Sequence, residues 1–315
     1  MNPPERRVFR VTPDQSDRRL DRVLRGLFRN VPLAAIMKSI RNGSVRVNGA
    51  KADGGRRLCE GDEVAFPWVA EIREDTACFG TERGTRRDAL VTLFRNDCLW
   101  CVEKPAGLLA QPDRAAGDSL ITRAWSQLRW ERHDFRPAMI GRLDRNVSGI
   151  EAIALCAPVL RALSESMRSG KIKKIYRALV WGAAPLSGEI SVPLMKDERE
   201  NFVRPASREE GGQSALTRFR RLSSDGKYSL LEVELVTGRP HQARAHLASI
   251  GRPIVGDVKY GYEDGRREGR LFLHAYSLTF QGIPGISEGR EELVVESPLP
   301  EEFSARLSRV KIKKD

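Results

Sequence analysis

At 315 residues the chain is long enough for two domains and for a sizeable core built without disulfides or metals. Its 54 Lys/Arg against 42 Asp/Glu give a formal charge of +12, which favours phosphate-rich partners. No run approaches the ~18 apolar residues of a membrane span, the start Met1-Asn2-Pro3-Pro4-Glu5-Arg6-Arg7 lacks an apolar signal core, and five cysteines form no even framework, so a reducing, cytoplasmic setting without membrane contact is expected.

The charge is unevenly placed. Residues 1–70 carry 14 Lys/Arg against 8 Asp/Glu, half the excess in under a quarter of the chain. Residues 1–16 read as an extension. From Asp17 to Pro67 the pattern is compact. Leu20, Val23, Leu24 and Leu27 recur at helical spacing, and after the Val31-Pro32 break Leu33, Ile36, Met37 and Ile40 repeat it, stopped by Asn42-Gly43. Val45-Arg46-Val47-Asn48-Gly49 alternates and ends in an Asn-Gly hairpin signal, and a further strand runs from Leu58 to Phe66. Two helices and a small sheet place Arg18, Arg22, Arg25, Lys38 and Arg41 on solvated helical faces, with Arg46 and Asn48 on the strand, where RNA phosphates could meet them. Any one of these is equally read as an ordinary solvated charge.

Residues 68–90 are mixed in charge and weakly periodic, as in a linker. A larger domain over 91–305 alternates strands (99–102, 150–155, 175–181, 228–236 and 271–280) with helices (120–129, 158–169 and 242–250). Both short turns and helices separate the strands, so the fold class expected is α+β with a mixed, mainly antiparallel sheet. Residues 306–315 form a basic tail. No coiled-coil repeat is present, and a monomer is expected. The lone Cys98-Leu99-Trp100-Cys101, with thiols on opposite faces of a strand, and the absence of an HExxH helix argue against a metal, and no cofactor is expected.

Several separated segments carry chemistry. Asp144 lies in Arg142-Leu143-Asp144-Arg145-Asn146-Val147-Ser148-Gly149, a carboxylate between two guanidinium groups whose charge favours the ionised form. A surface ion-pair cluster reads equally well on those residues alone. Lys104-Pro105-Ala106-Gly107 makes a tight turn with an exposed cation, or simply a Pro/Gly turn. Tyr176 in Lys173-Lys174-Ile175-Tyr176-Arg177-Ala178 is a core ring or a stacking platform for an unpaired base. Thr237-Gly238-Arg239-Pro240-His241-Gln242-Ala243-Arg244 is a Gly-Arg turn entering a helix, able to hold a phosphate or carboxylate, and Gly256-Asp257 and Leu273-His274-Ala275 complete the set.

The order Lys-Pro-x-Gly, Arg-Leu-Asp-x-x-x-Ser-Gly, Lys-x-Tyr-x-Ala, Gly-Arg-x-His-Gln-x-Arg, Pro-Ile-x-Gly-Asp-x-x-Tyr-Gly and Leu-His-Ala over about residues 91–280 resembles the RluA-type RNA pseudouridine synthases. The amino-terminal module is similar to the S4 RNA-binding domain that precedes the catalytic domain in their ribosomal members, most of all the RluC-like branch. Departures are Gly141 where the family usually has histidine, Val147 and Pro240 in place of threonines, and Gln111-Pro112 in place of histidine-proline. The resemblance implies that specific uridines are isomerised to pseudouridine in large-subunit ribosomal RNA or a ribosome precursor. The N1–C1′ bond breaks, the base turns, and C5 joins C1′ with no redox change. It implies Asp144 as the sugar-side catalyst, Tyr176 stacked on a flipped uracil and a candidate base for the C5 proton, and Arg244 paired with Asp144. It further implies Arg142 in extrusion of the nucleotide, Leu273 as an apolar wall, and Lys104 and Arg239 as turn-stabilising or backbone contacts. A synthase acting on transfer RNA or other RNA, or a catalytically silent ribosome assembly factor, remains the alternative.

Overall fold

The computed structural model describes residues 7–28, 30–68, 89–113, 117–130, 135–197, 200–261, 268–287 and 291–310. Most of the expected linker and the basic segment Lys311–Lys314 lie outside the described residues. The amino-terminal module consists of β1 (Arg7–Arg10), α1 (Leu20–Leu27), α2 (Leu33–Arg41), β2 (Arg46–Val47), β3 (Ala50–Lys51) and β4 (Glu63–Phe66). Its sheet runs β1-β4-β2-β3, so residues expected to form an extension supply an edge strand through Arg7↔Phe66 to Arg10↔Glu63. One helical face each of α1 and α2 buries Leu20, Val23, Leu24, Ile36 and Ile40 against Val45, Val47, Val64 and Phe66. That is the outcome of apolar residues spaced at three and four along both helices.

The larger body follows as β5 (Thr92–Arg95), β6 (Leu99–Lys104), α3 (Leu120–Leu128), β7 (Ala138–Met139), β8 (Ser148–Ala154), α4 (Ala157–Arg168), β9 (Ile172–Trp181) and β10 (Ser187–Ile190). It continues with β11 (Leu194–Asp197), β12 (Phe202–Pro205), β13 (Thr217–Ser224), β14 (Tyr228–Leu235), α5 (Gln242–Ser249), β15 (Leu273–Gln281), β16 (Glu292–Glu296) and α6 (Glu301–Arg309). One sheet runs β10-β13-β14-β9-β15-β8-β6-β5, with β16 also on β15 and β7 on β8. The pairing of β15 with β8 is parallel and every other pairing in it is antiparallel, so the sheet is mixed and mainly antiparallel as expected.

β8 is buried along its whole length, with α4 over one face and α3 over the other. α4 starts at Cys156 without a cap of its own. Buried Asp14, from the amino-terminal module, accepts from the Ala157 N–H at 2.6 Å and fills that position, tying the module to the larger body. Where β8 meets β15, Gly149 has φ +120° and a Cβ there would lie 2.2 Å from the Ala275 carbonyl oxygen. Only glycine admits that approach, and it fixes where the loop before β8 emerges. α6 lies across the boundary expected at 305/306, with Phe303 and Leu307 fully buried. Among the described residues no helix is long and apolar enough to cross a membrane, and no cluster of His, Cys, Asp and Glu is arranged to hold a metal.

Candidate active site

Asp144 stands in the loop between β7 and β8, and its neighbours fix that loop almost residue by residue. The Val147 N–H donates to the Asp144 carbonyl at 3.1 Å, closing a turn over Arg145 and Asn146. Gly107 N–H donates to the Arg145 carbonyl at 2.8 Å, and the Arg145 Nε returns a hydrogen bond to the Gly107 carbonyl at 3.0 Å. Lys104 was expected to be exposed; it is instead fully buried at the end of β6. Its Nζ donates to the carbonyls of Pro105, Leu108 and Arg145 at 3.0, 2.8 and 2.9 Å. A buried ammonium must find acceptors, and three carbonyls converging from two turns supply them. Burial pulls its amine down to about 8, against the opposing pull of the Glu151 and Asp144 carboxylates.

Glu151 is the residue that sequence reasoning missed. It sits within a mainly apolar strand, buried, and its carboxylate accepts the Leu143 N–H. Burial pushes its carboxyl up to about 7, while the Leu143 N–H, Lys104 and Arg142 work to lower it. A lone glutamate in the run Ser148-Gly149-Ile150-Glu151-Ala152-Ile153-Ala154 was the available signal.

Arg244, on α5, joins the distant segments. Its Nη1 donates to Asp144 Oδ2 at 3.0 Å, and its Nε and Nη2 donate to Asp257 Oδ2 and Oδ1 at 2.8 and 2.9 Å. Asp257 is itself held, accepting from the Lys259 and Tyr260 N–H groups. Burial alone would raise the Asp257 carboxyl, yet the bidentate Arg244 contact and the two amides hold it below the usual carboxylate range. The guanidinium also stacks on the Tyr260 ring at 4.9 Å. With two of its nitrogens fixed on Asp257, Arg244 presents the third to Asp144 in a set direction.

His241 enters the same cluster. It heads α5 in the left-handed region (φ +51°), with Nδ1 2.8 Å from the Tyr260 hydroxyl and Nε2 3.8 Å from Asp144 Oδ2. Burial holds the imidazole below its ordinary range, against the pull of Asp144, so the neutral ring predominates at pH 7. Tyr260 accepts from the Val203 N–H at 2.8 Å and stacks on Phe202, which docks the β11-β12 hairpin beside the site.

A cleft of about 490 Å³ opens in front of Asp144. Tyr176 from β9, Leu273 from β15, Arg142 and Arg239 line it together with Asp144 and Arg244, so six of the seven residues singled out in the catalytic domain share the cleft, and Lys104 lies behind it. Burial and the nearby Glu151 and Asp144 carboxylates push the Tyr176 phenol well above its usual range, leaving it protonated at neutral pH. Arg239 is exposed, its Nε bonded to the Ser214 carbonyl at 3.0 Å, and Leu273 is buried beneath the cleft floor. Lys174, two residues from Tyr176 on β9, also lines the cleft, near enough to Gly238 that a Cβ there would lie 3.3 Å from its Nζ.

The amino-terminal candidates lie apart from this cleft. Arg22, Lys38 and Arg41 are exposed on α1 and α2, and Arg18 is half-buried before α1. Arg46 Nη1 donates to the Gly49 carbonyl at 2.9 Å. Asn48 is engaged within the module, donating to Asp62 Oδ1 at 2.7 Å and accepting from the Glu63 N–H at 2.8 Å.

The RNA pseudouridylate synthase family profile matches residues 98–249. A ribosomal large subunit pseudouridine synthase C of Escherichia coli is 31% identical over 322 residues, 98% of each chain. An RNA pseudouridine synthase of Chloroflexus aurantiacus, named as uncharacterized, is 31% identical over 311 residues, 97% of this chain and 94% of its own. Among solved structures, human RNA pseudouridylate synthase domain containing 4 superposes with a TM-score of 0.56 at 24% identity, covering 70% of this chain and 93% of its own, which shows a shared fold. Given full-length relatives above 30% identity and a cleft built from the matched motifs, this chain belongs to the RluA-type RNA pseudouridine synthase family and is an RNA pseudouridine synthase, an isomerase.

Proposed function

We propose that Asp144 is the sugar-side catalyst, acting on a uridine flipped into the cleft, and that the target lies in large-subunit ribosomal RNA. The observation that carries the first part is the Asp144–Arg244–Asp257 chain. A carboxylate on the cleft wall is aimed by a guanidinium that is itself fixed by a buried acid. Catalysis needs that group held in place before substrate arrives, because phosphates brought in by RNA would otherwise repel it. Tyr176 provides the ring on which a free uracil can stack while its C5 turns toward C1′, and Leu273 lies under the same surface. A protonated phenol beside two carboxylates is a weak base, so half-buried Tyr176 favours the platform role over proton abstraction from C5.

Chemistry on a base stacked in RNA requires the nucleotide to leave its helix, and Arg142, exposed and lining the cleft, would take up the gap or a flanking phosphate. Arg22, Lys38 and Arg41 on one S4-like module and the cations at the cleft mouth give two basic surfaces for structured RNA. The ribosomal assignment is supported by the several relatives named ribosomal large subunit pseudouridine synthase C at about 30% identity. A cytoplasmic monomer fits this work. Tritium release from 5-tritiated uridine RNA tests the active site: Asp144→Asn should release none while binding RNA as the parent does, and an active variant would reject the assignment. Pseudouridine mapping of ribosomal and transfer RNA from cells with and without the protein tests the target.

A further inference from the structure

On either side of Asp144 the backbone is gripped by a buried charge of opposite sign. The residue before it, Leu143, gives its N–H to Glu151, and the residue after it, Arg145, gives its carbonyl to Lys104. Both grips come from the floor of the sheet. Glu151 pairs with Val102 in the antiparallel register of β6 and β8, and Lys104 lies two residues farther along β6, on the same face. Besides Lys104, Arg142 acts on Glu151, and Tyr176 and Cys101 feel its charge. Both charges are already engaged: Lys104 lies off the cleft with three carbonyl partners, and Glu151, although it borders the cleft, is 4% exposed and holds the Leu143 N–H.

We infer that Glu151 is a positioning residue for the synthase reaction, acting with Lys104 to lock the peptide units flanking Asp144 so that the carboxylate stays on the Arg244 nitrogen and faces the ribose. This rests on the reading of Asp144 as catalyst. A buried carboxylate costs stability that its hydrogen bond and the nearby charges of Lys104 and Arg142 only offset, whereas an apolar residue in this mainly apolar strand would pack without that cost. The arrangement therefore matters for the loop it holds. Glutamine keeps the acceptor for the Leu143 N–H and leucine does not, so the two substitutions separate the hydrogen bond from side-chain volume.

The experiment measures kcat and KM by tritium release, RNA affinity by filter binding, and folded fraction by thermal unfolding, for Glu151→Gln, Glu151→Leu and Asp144→Asn side by side. Glu151→Leu should lose about 100-fold in kcat per folded molecule, the loss expected from a displacement near 1 Å, with KM and RNA affinity unchanged. Glu151→Gln should recover most of it. An inactive Asp144→Asn beside a fully active Glu151→Leu overturns the inference and leaves the active-site reading standing. An active Asp144→Asn overturns the reading itself. Equal losses in the glutamine and leucine variants, or a loss confined to KM, also overturn the inference. Should Glu151→Leu not fold, Lys104→Met/Glu151→Leu removes the uncompensated ammonium, and its kcat must still be at least as low; restored turnover refutes the positioning role.

Discussion

Replacing Arg244 by methionine separates what the arginine does for the fold from what it does for the reaction. Its side chain is 9% exposed, and it neutralises Asp257, whose side chain is wholly buried, as well as Asp144, a quarter exposed. In Arg244→Met, Asp257 keeps only the Lys259 and Tyr260 amides, at 3.0 and 3.1 Å. Removing one partner of such a buried pair costs about 3–5 kcal/mol. Water can reach Asp144, so losing its contact adds only about 0–1 kcal/mol. The melting temperature should fall by roughly 6–20 °C for a domain of this size. Adding Asp257→Asn takes away the stranded charge and should restore most of that stability. Turnover should stay low in the double variant, since nothing then aims Asp144. Calorimetry and tritium release on the parent, single and double variants read both quantities. An Arg244→Met protein as stable as the parent would refute the energetic argument, and a double variant with restored turnover would refute the orienting role.

Tyr176→Phe should keep RNA affinity near the parent value while Tyr176→Ala weakens it by about 1–3 kcal/mol, the worth of one stacked base, and equal losses in a filter-binding titration would count against stacking. His274 is buried, and with Ser148 on Nδ1 and the Ser297 carbonyl on Nε2 it is held neutral, its imidazole lowered to about 4 mainly by burial and also by Arg270. The unfolded ring titrates near 6.5, so the unfolded chain binds the extra proton between those values. Stability is therefore lost as pH falls from about 6.5 toward 4, at up to about 1.4 kcal/mol per unit. His274→Gln should flatten that part of the melting profile, and identical slopes in the two proteins would refute the account. Neutralising Arg22, Lys38 and Arg41 together should shrink the salt dependence of RNA binding without changing the rate at saturating RNA, whereas an unchanged salt slope would show that phosphates do not meet this face.

Much of the fold could be read because local spacing and burial agree in this chain. α1 and α2 follow the apolar spacing that sequence offers, and β8, β9 and β14 are long runs with few interruptions. What escaped was short or carried its signal in one period. β1 is four residues, Arg7-Val8-Phe9-Arg10, and becomes a strand only because β4 offers an edge. The β11-β12 hairpin is held by Phe202 on Tyr260 and by Val203 on the same hydroxyl, partners almost sixty residues away. α6 has only Phe303 and Leu307 as a buried pair in nine residues, too little periodicity to place a boundary against. β13 did alternate, with Thr217 and Phe219 buried between exposed arginines, and could have been found.

The site divides along the same line. Asp144 and Asp257 lie in turns, Arg244 in the first turn of α5 and Tyr176 within β9, each among residues that mark it, so the sequence could name them without bringing them together; the hundred residues between Asp144 and Arg244 are bridged only when β8, β9 and β15 align. Glu151 left only the signal of a lone acid in a mainly apolar run, and the true place of Lys104 left none, because burial of a charge is a property of its neighbours across strands. The result is a graded arrangement of charge in a strongly basic protein. Asp144, the carboxylate proposed to meet RNA, stays partly open on the cleft, while the groups proposed to aim it, Arg244, Asp257, Lys104 and Glu151, are buried away from incoming phosphates. Screening by salt and by substrate is weakest in that buried layer, so the layer can keep its geometry while RNA binds and leaves.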